Sequence, residues 1–312
     1  MPAVGWLKLC CMTPFPAWLQ QLIEIPDVTD VLVGSDSCQI DRGRGLEEID
    51  AALPTGQDLL LELRRLALEL GARLDIAQPI ADASWGKIRL HFVMPHGISD
   101  SAQLSVRIHP ERALGLAELT ASEMLSANQA RFLKSAFARQ QTIVFSGPTG
   151  SGKTTLLRAL LAEGMGRVLV IEQTPELHLP WPAVSLRSRD ANIDGAGEIS
   201  LSDLVVAALR MRPDRIVIGE ARRDEFGAFL QAVNNGHRGS ATTIHATSLD
   251  GVPRRLITLG LLAGLSAELT GQLVLGAVDL VVQLDRTHRR HITGIGRPVA
   301  TQSGFEIERV QL

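Results

Sequence analysis

Gly147-Pro148-Thr149-Gly150-Ser151-Gly152-Lys153-Thr154-Thr155 decides how this chain is read. It fits the G-x-x-x-x-G-K-[ST] phosphate-binding pattern without a mismatch. From average composition the pattern arises by chance in on the order of one chain in a hundred, and its surroundings make chance a poor explanation. Thr142-Ile143-Val144-Phe145 before it reads as a short buried strand, and Thr155 to Leu161 after it as a helix. Glycines let the backbone turn tightly and approach a ligand. The turn then aims several N–H groups and a helix N-terminus at one point, which favours phosphate oxygens. Lys153 adds a point charge for the β- and γ-phosphates. Thr154 offers a hydroxyl to Mg²⁺, a hard ion that takes oxygen ligands. The bound species this predicts is ATP with Mg²⁺.

The chain has 312 residues, enough for two domains. Its 45% hydrophobic and 21% charged residues are ordinary for a soluble globular protein. A net charge of −3 gives no support to nucleic acid as a partner. Basic clusters stand at Arg187–Arg189, Arg222-Arg223, Arg254-Arg255 and Arg286–His291. Solvated faces account for most of them; one or two would suit phosphates or acidic lipid. Cys10, Cys11 and Cys38 form neither a C-x-x-C pair nor a disulfide framework, which suits a reducing compartment. No membrane span is evident, because Glu268, Gln272 and Asp279 interrupt the apolar stretch from Leu256 to Leu284. No secretory leader is read at the N-terminus.

Two units are expected. Residues 1–110 form a smaller α+β domain, with a helix over Leu59–Leu70 and strands over Ile88–Met94 and Leu104–Ile108. Met12 to Leu22 suits a short amphipathic helix. Residues 111–120 read as a linker, and residues 121–312 as an α/β domain. There Ala121–Arg139, Leu201–Met211, Asp224–Val233 and Pro253–Leu262 read as helices. Val168–Ile171, Arg215–Ile218, Ala241–Ile244 and Leu280–Leu284 read as strands. Such alternation implies a mainly parallel sheet covered by helices, with ligands at the carboxyl ends of the strands.

Four further segments carry polar residues to those ends. Val168 to Ile171 delivers Glu172, with Glu176 four residues on; a carboxylate there suits Mg²⁺ or the attacking water, against the plain alternative of an exposed strand-end acid. Arg212 to Ile218 delivers Glu220, the best candidate to polarise the attacking water. Many phosphate-loop ATPases have Asp before this Glu, whereas this chain has Gly219. Asn235 to Ala246 places His237 and His245 on either side of a short strand, suited to sensing a γ-phosphate. The other six histidines, His91, His96, His109, His178, His288 and His291, read as structural or surface residues. Arg187 and Arg189 follow the Glu172 strand, while Arg89 and Arg107 lie on strands of the first unit. Arginine suits bidentate phosphate contact, even from a neighbouring domain or subunit. For each one alone, a surface salt bridge is the simpler reading.

The order of these segments resembles the secretion ATPase superfamily of type II and type IV secretion and type IV pili. Gly147–Thr155 resembles its Walker A motif, Ile171–Leu177 its acidic Asp box, Arg212–Glu220 its Gly-Glu Walker B, and Gly236–His245 its His box. Gly86–Pro95 and Ser105–Pro110 are similar to its N-terminal domain pattern. Leu209–Arg215 and Gly251–Leu256 are most similar to the Flp/Tad pilus assembly ATPases, the CpaF-like group. Conjugation-type secretion ATPases share much of this pattern. The resemblance implies a RecA-like P-loop NTPase domain with a smaller α+β N-terminal domain. It implies an ATP-hydrolysing hexamer at the cytoplasmic face of the inner membrane, working on a membrane platform protein of a pilus or secretion system. It also implies nucleotide contact by Arg89 and Arg107, metal binding by Thr154, Glu172 and Glu220, and coupling through His237 and His245. In the Asp box, Gln173 replaces the usual Asp. The tetracysteine zinc module and long N-terminal extension of some relatives are missing from the pattern. A nucleotide-gated scaffold with little turnover is the alternative from a different class. No N-K-x-D motif supports a GTPase.

Overall fold

The computed structural model describes residues 13–34, 37–43, 45–108, 114–164, 166–180, 182–189, 196–287, 289–302 and 304–312. Cys10, Cys11, Met12, His109, Pro110, His288 and the first part of the expected linker lie outside them. The chain divides into two units, Met1–Arg112 and Ala113–Leu312.

In the first unit, α1 (Ala17–Ile23) precedes β1 (Asp30–Val33), β2 (Cys38–Asp41) and β3 (Leu46–Glu48); α2 (Gly56–Glu69) then leads to β4 (Ile80–Trp85), β5 (Ile88–Val93) and β6 (Gln103–Ile108). The strands form an antiparallel sheet in the order β3-β2-β1-β6-β5-β4. Alternation decides its faces. Val31, Val33, Ile40, Leu90, Phe92, Leu104 and Val106 point inward and pack with Leu59, Leu63, Leu66 and Ala67 of α2. Gly71 closes α2 at φ +77°, with the Ala72 N–H reaching back to the Ala67 carbonyl. The helix expected from Met12 begins only at Ala17, because Pro14 and Pro16 withhold N–H groups. Arg89 and Arg107 lie opposite one another on β5 and β6, and Arg107 Nε donates to Asp30 Oδ1 at 2.8 Å.

The second unit runs α3 (Leu116–Ala121), α4 (Ala127–Ala138), β7 (Ile143–Ser146), α5 (Lys153–Glu163), β8 (Val168–Glu172), β9 (Val184–Arg187), α6 (Leu201–Leu209), β10 (Arg215–Ile218), α7 (Glu225–Asn234), β11 (Ala241–Ile244), α8 (Val252–Leu262), α9 (Ala267–Ala277), β12 (Leu280–Asp285), β13 (His291–Thr301) and β14 (Gly304–Arg309). Its sheet has the order β14-β13-β12-β7-β11-β10-β8-β9. The strands from β12 to β9 are parallel, and β13 and β14 add an antiparallel edge. Every residue of β7, β8, β10 and β11 is buried, as a sheet covered on both faces requires. Ile143 and Phe145 pack with α3, α4 and α5, whereas Val144, Ile216 and Ile218 pack with α6 to α9. Among the described residues no single helix is long and apolar enough to cross a membrane; the segments Leu249–Leu262 and Ala267–Ala277 meet at 116°.

Two expectations are corrected here. Residues 116–120, read as the end of the linker, belong to α3, whose Leu116 and Leu119 are buried in the second unit's core. The single helix expected over Ala121–Arg139 is two helices. Glu123 takes φ +58°, and Ser126 restarts the helix with a capping box: its hydroxyl accepts from Gln129 N–H, and Gln129 Oε1 accepts from Ser126 N–H. The break places Met124 against the phosphate loop, where its methyl would lie 2.5 Å from a β-carbon on Gly152. Ser126→Ala should therefore cost about 1 kcal/mol of stability, read as a lower urea midpoint at unchanged slope. An unchanged midpoint would show that packing alone fixes the break.

Candidate nucleotide site

Parallel pairing brings β7, β8, β10, β11 and β12 to one edge at their carboxyl ends. Ile244 lies opposite Ser146, Ile218 opposite Ile171 and Gln283 opposite Ser146. Gly147–Gly152, Glu172, Gly219-Glu220, His245 and Arg286 follow from these ends or stand at them.

The loop has the shape a polyphosphate needs. Gly147, Gly150 and Gly152 take φ values of +151°, +74° and +94°, which L side chains adopt only with strain. A β-carbon on Gly147 would fall 2.4 Å from the Leu284 carbonyl oxygen. Pro148 and Thr149 complete the turn that leads into Ser151, and Thr155 lies in the first turn of α5. The Ser151 hydroxyl is buried without a hydrogen-bond partner. Lys153 is buried, and its Nζ donates to the carbonyls of Gly147 at 2.8 Å and Pro148 at 2.9 Å. Burial lowers the Lys153 pKa, against the pull of Glu220 and Glu176. A cation folded into its own glycine-rich turn fits an anion that would take over those bonds.

Glu220 lies 2.7 Å from His245 Nε2 through Oε1, and accepts from Arg222 Nη2 at 2.8 Å through Oε2. Burial alone would raise its pKa; the bonds from His245 and Arg222 outweigh it and bring the carboxyl to about 2. Glu220 is therefore ionised at neutral pH with both oxygens engaged. The β10–β11 junction holds it in place, with Thr243 Oγ1 donating to the Gly219 carbonyl and Ala221 N–H to the Thr243 carbonyl. Arg222 and Arg223 N–H both donate to the buried Glu225 at the start of α7, which sets the direction of the turn.

Glu172 plays a different part from Glu220. Its Oε1 accepts from Glu176 N–H at 3.0 Å and Leu177 N–H at 3.3 Å, so it organises the turn after β8. Burial pushes its pKa up to about 7. It also explains Gly219: a β-carbon there would lie 2.7 Å from Glu172 Cγ and 2.8 Å from its Oε1. The Asp of other phosphate-loop ATPases has no room beside a buried glutamate.

Thr154, Glu172 and Glu220, expected to share a metal, have other partners in this structure. Thr154 Oγ1 donates to Glu176 Oε2 at 3.4 Å. Hydroxyl and carboxylate oxygen suit Mg²⁺ in chemistry, so Thr154 and Glu176 are the residues here that fit the ion. Glu176 was visible in the sequence as the acid four residues after Glu172, but the turn that reaches Thr154 was not. Among the described residues no three His, Cys, Asp or Glu side chains gather closely enough to hold a metal alone.

His237 and His245 are separated by the strand between them. His245 is at the site, whereas His237 precedes β11 at its opposite, amino end, with Nδ1 3.2 Å from the Ala232 carbonyl. A parallel strand presents only its carboxyl end to the loop, so the paired role expected of these histidines does not hold within this unit. Arg187 ends β9 opposite Glu172, exposed and one strand farther out. Arg189 Nε donates to the Gly197 carbonyl at 2.7 Å and closes its own loop.

The Glu172 assignment predicts a pH signature. Between pH 4.5 and about 7 the folded chain keeps a proton that the unfolded chain has lost. This contribution to stability is complete below pH 4.5 and fades as pH rises through about 7. Glu172→Gln lacks it. From about pH 5 to about pH 8, wild type should lose up to roughly 3 kcal/mol relative to the variant in urea unfolding. A difference that does not vary with pH would remove the raised pKa.

Residues 86–306 match the family described as type II/IV secretion system protein. A putative conjugal transfer protein of Mycobacterium tuberculosis is 36% identical over 290 residues, covering 89% of this chain and 82% of that protein. The conjugal transfer protein TrbB of Rhizobium radiobacter is 31% identical over 253 residues, covering 78% and 75%. Among solved structures, the ATPase DotB of Legionella pneumophila has a TM-score of 0.61 at 21% identity, covering 94% of this chain and 78% of that one. The pilus retraction motor PilT with bound ADP has a TM-score of 0.62 at 18% identity, covering 93% and 80%. These two share the fold, an N-terminal domain and a RecA-like ATPase domain. With a family match across most of its length and relatives above 30% identity, the chain belongs to the type II/IV secretion system protein family, within the secretion ATPase superfamily.

Proposed function

We propose that this protein is an ATP hydrolase that powers transport through a secretion machine at the cytoplasmic face of the inner membrane. The observation that carries this is the ionised Glu220, held between His245 and Arg222 at the same sheet edge as the phosphate loop. The loop N–H groups and Lys153 bind the phosphates. Mg²⁺, held by the Thr154 hydroxyl and Glu176, would neutralise charge on the β- and γ-phosphates when bound. Glu220 orients and deprotonates the attacking water once an oxygen is released. Arg222 is the partner with room to leave, since its side chain is 63% exposed. His245 then reports phosphate loss through its contact with Glu220. Glu172 organises the turn that carries Glu176.

The working form is a homo-oligomer, expected to be a hexamer, with Arg89 and Arg107 of the smaller domain contacting nucleotide within or across subunits. Residues 1–110 are that domain, and the ATPase domain includes α3 from Leu116 onward. The partner is an inner-membrane platform protein, and the cargo is protein. The conjugal transfer names of the relatives favour a conjugation or type IV secretion machine. Flp/Tad pilus assembly is the second reading, favoured by Leu209–Arg215 and Gly251–Leu256. Genes for a coupling protein and relaxase beside this one would support the first; genes for prepilin and its peptidase would support the second.

Steady-state Mg-ATP hydrolysis should rise more than proportionally with protein concentration, as shared sites in a ring require. Glu220→Gln should lower turnover by at least about 100-fold while leaving nucleotide binding in place. Full turnover in that variant would contradict the role of Glu220. ATP binding with no turnover at any concentration, with or without the membrane partner, would favour the scaffold reading.

A further inference from the structure

Two arginines flank the tip of the phosphate loop, and the catalytic scheme above uses neither. Both lie between β12 and β13. Arg290 Nε donates to the Gly150 carbonyl at 3.0 Å. The Arg286 guanidinium lies across the α-carbon of the same glycine, so that a β-carbon on Gly150 would fall 2.8 Å from Arg286 Nη1. The hairpin that carries them is fastened to the turn between α3 and α4. Arg289 pairs with Glu123, and Ile292 N–H donates to the Met124 carbonyl at 2.9 Å.

The two guanidinium groups have different duties. Arg290 spends a donor on the loop's own backbone. Arg286 has no acceptor for its guanidinium among the described residues. The adjacent acid, Asp285, gives its oxygens to the Thr287 hydroxyl and the Arg286 backbone N–H. Lys153 adds a further positive charge on the same loop. Three cations around one glycine-rich turn, with a donor fork unused, call for an anion of more than one charge. The loop tip faces the α- and β-phosphates, whereas the lysine reaches the β- and γ-phosphates.

We propose that Arg286 contacts the α- and β-phosphates of the nucleotide from within the same chain, and that Arg290 is a positioning residue that holds the loop tip through the Gly150 carbonyl. The proposal rests on the nucleotide reading of the site. Its mark is indifference to the γ-phosphate: ADP and ATP should depend on Arg286 equally.

The test is equilibrium binding of ADP and of a non-hydrolysable ATP analogue to the full chain, with melting temperature recorded for each variant. Arg286→Ala should weaken both nucleotides by the same factor, about 10- to 100-fold, and Arg286→Lys should recover part of the loss by keeping the charge without the fork. Arg290→Ala should also weaken both, and Arg290→Lys, which can still donate to the carbonyl, should restore them. Unchanged affinity in Arg286→Ala, or a loss confined to the ATP analogue, would overturn the assignment. If Arg286→Ala does not fold, Arg286→Lys decides: affinities equal to wild type overturn the need for a fork. If wild type binds neither nucleotide, the reading of the loop fails and the proposal fails with it; weak binding confined to the variants does not touch that reading.

Discussion

Parallel pairing in register is the constraint on which this site depends. A parallel strand has two unlike ends: Ser146 is paired with Ile244 and Ile171 with Ile218, and Ile218 pairs with Thr242, two residues before Ile244. Whatever residue follows each strand is then delivered to the same edge. The loop after β7 receives Lys153 and Thr154, while the neighbouring strands contribute Glu172, Glu220 and His245. The sheet sets which residues meet there, and side-chain bonds from Glu225, Glu172 and Thr243 then fix the turns that carry them. The burial of every residue in β7, β8, β10 and β11 fixes the sheet between two layers of helices.

Electrostatics then divides the labour between two glutamates on adjacent strands. Glu220 is half-buried but accepts from a histidine and an arginine, so it stays charged. Glu172 is buried, accepts only backbone donors, and its charge is suppressed until about pH 7. The two states have separate causes: His245 and Arg222 keep Glu220 charged, and burial holds the proton on Glu172. The glycine before Glu220 belongs to the same arrangement, since any side chain there would collide with Glu172.

Much of this was legible in the sequence, for identifiable reasons. The β7, β8, β10, β11 and β12 strands are short apolar runs ended by polar residues, and buried parallel strands leave that mark. The phosphate loop is set by backbone conformation, which glycine spacing records. What escaped was fixed by tertiary geometry. In the C-terminal hairpin, β13 has neither uniform burial nor strict alternation, and β14 alternates only over its first five residues. The break between α3 and α4 depends on a cap at Ser126 inside a continuous helical composition. His237 and His245 looked equivalent because one dimension does not say which end of a strand faces the loop. Glu176 and Arg222 reach their partners by turns whose direction is set by buried Glu172 and Glu225.

Calorimetric titration of Mg-ATP into wild type and Lys153→Ala tests the central claim most directly. One nucleotide bound per chain in wild type, and loss of that binding in the variant, is the result expected if the loop is the seat of the phosphates. Equal binding by both proteins, or no binding by wild type, would mean that the edge built by the parallel strands serves another ligand.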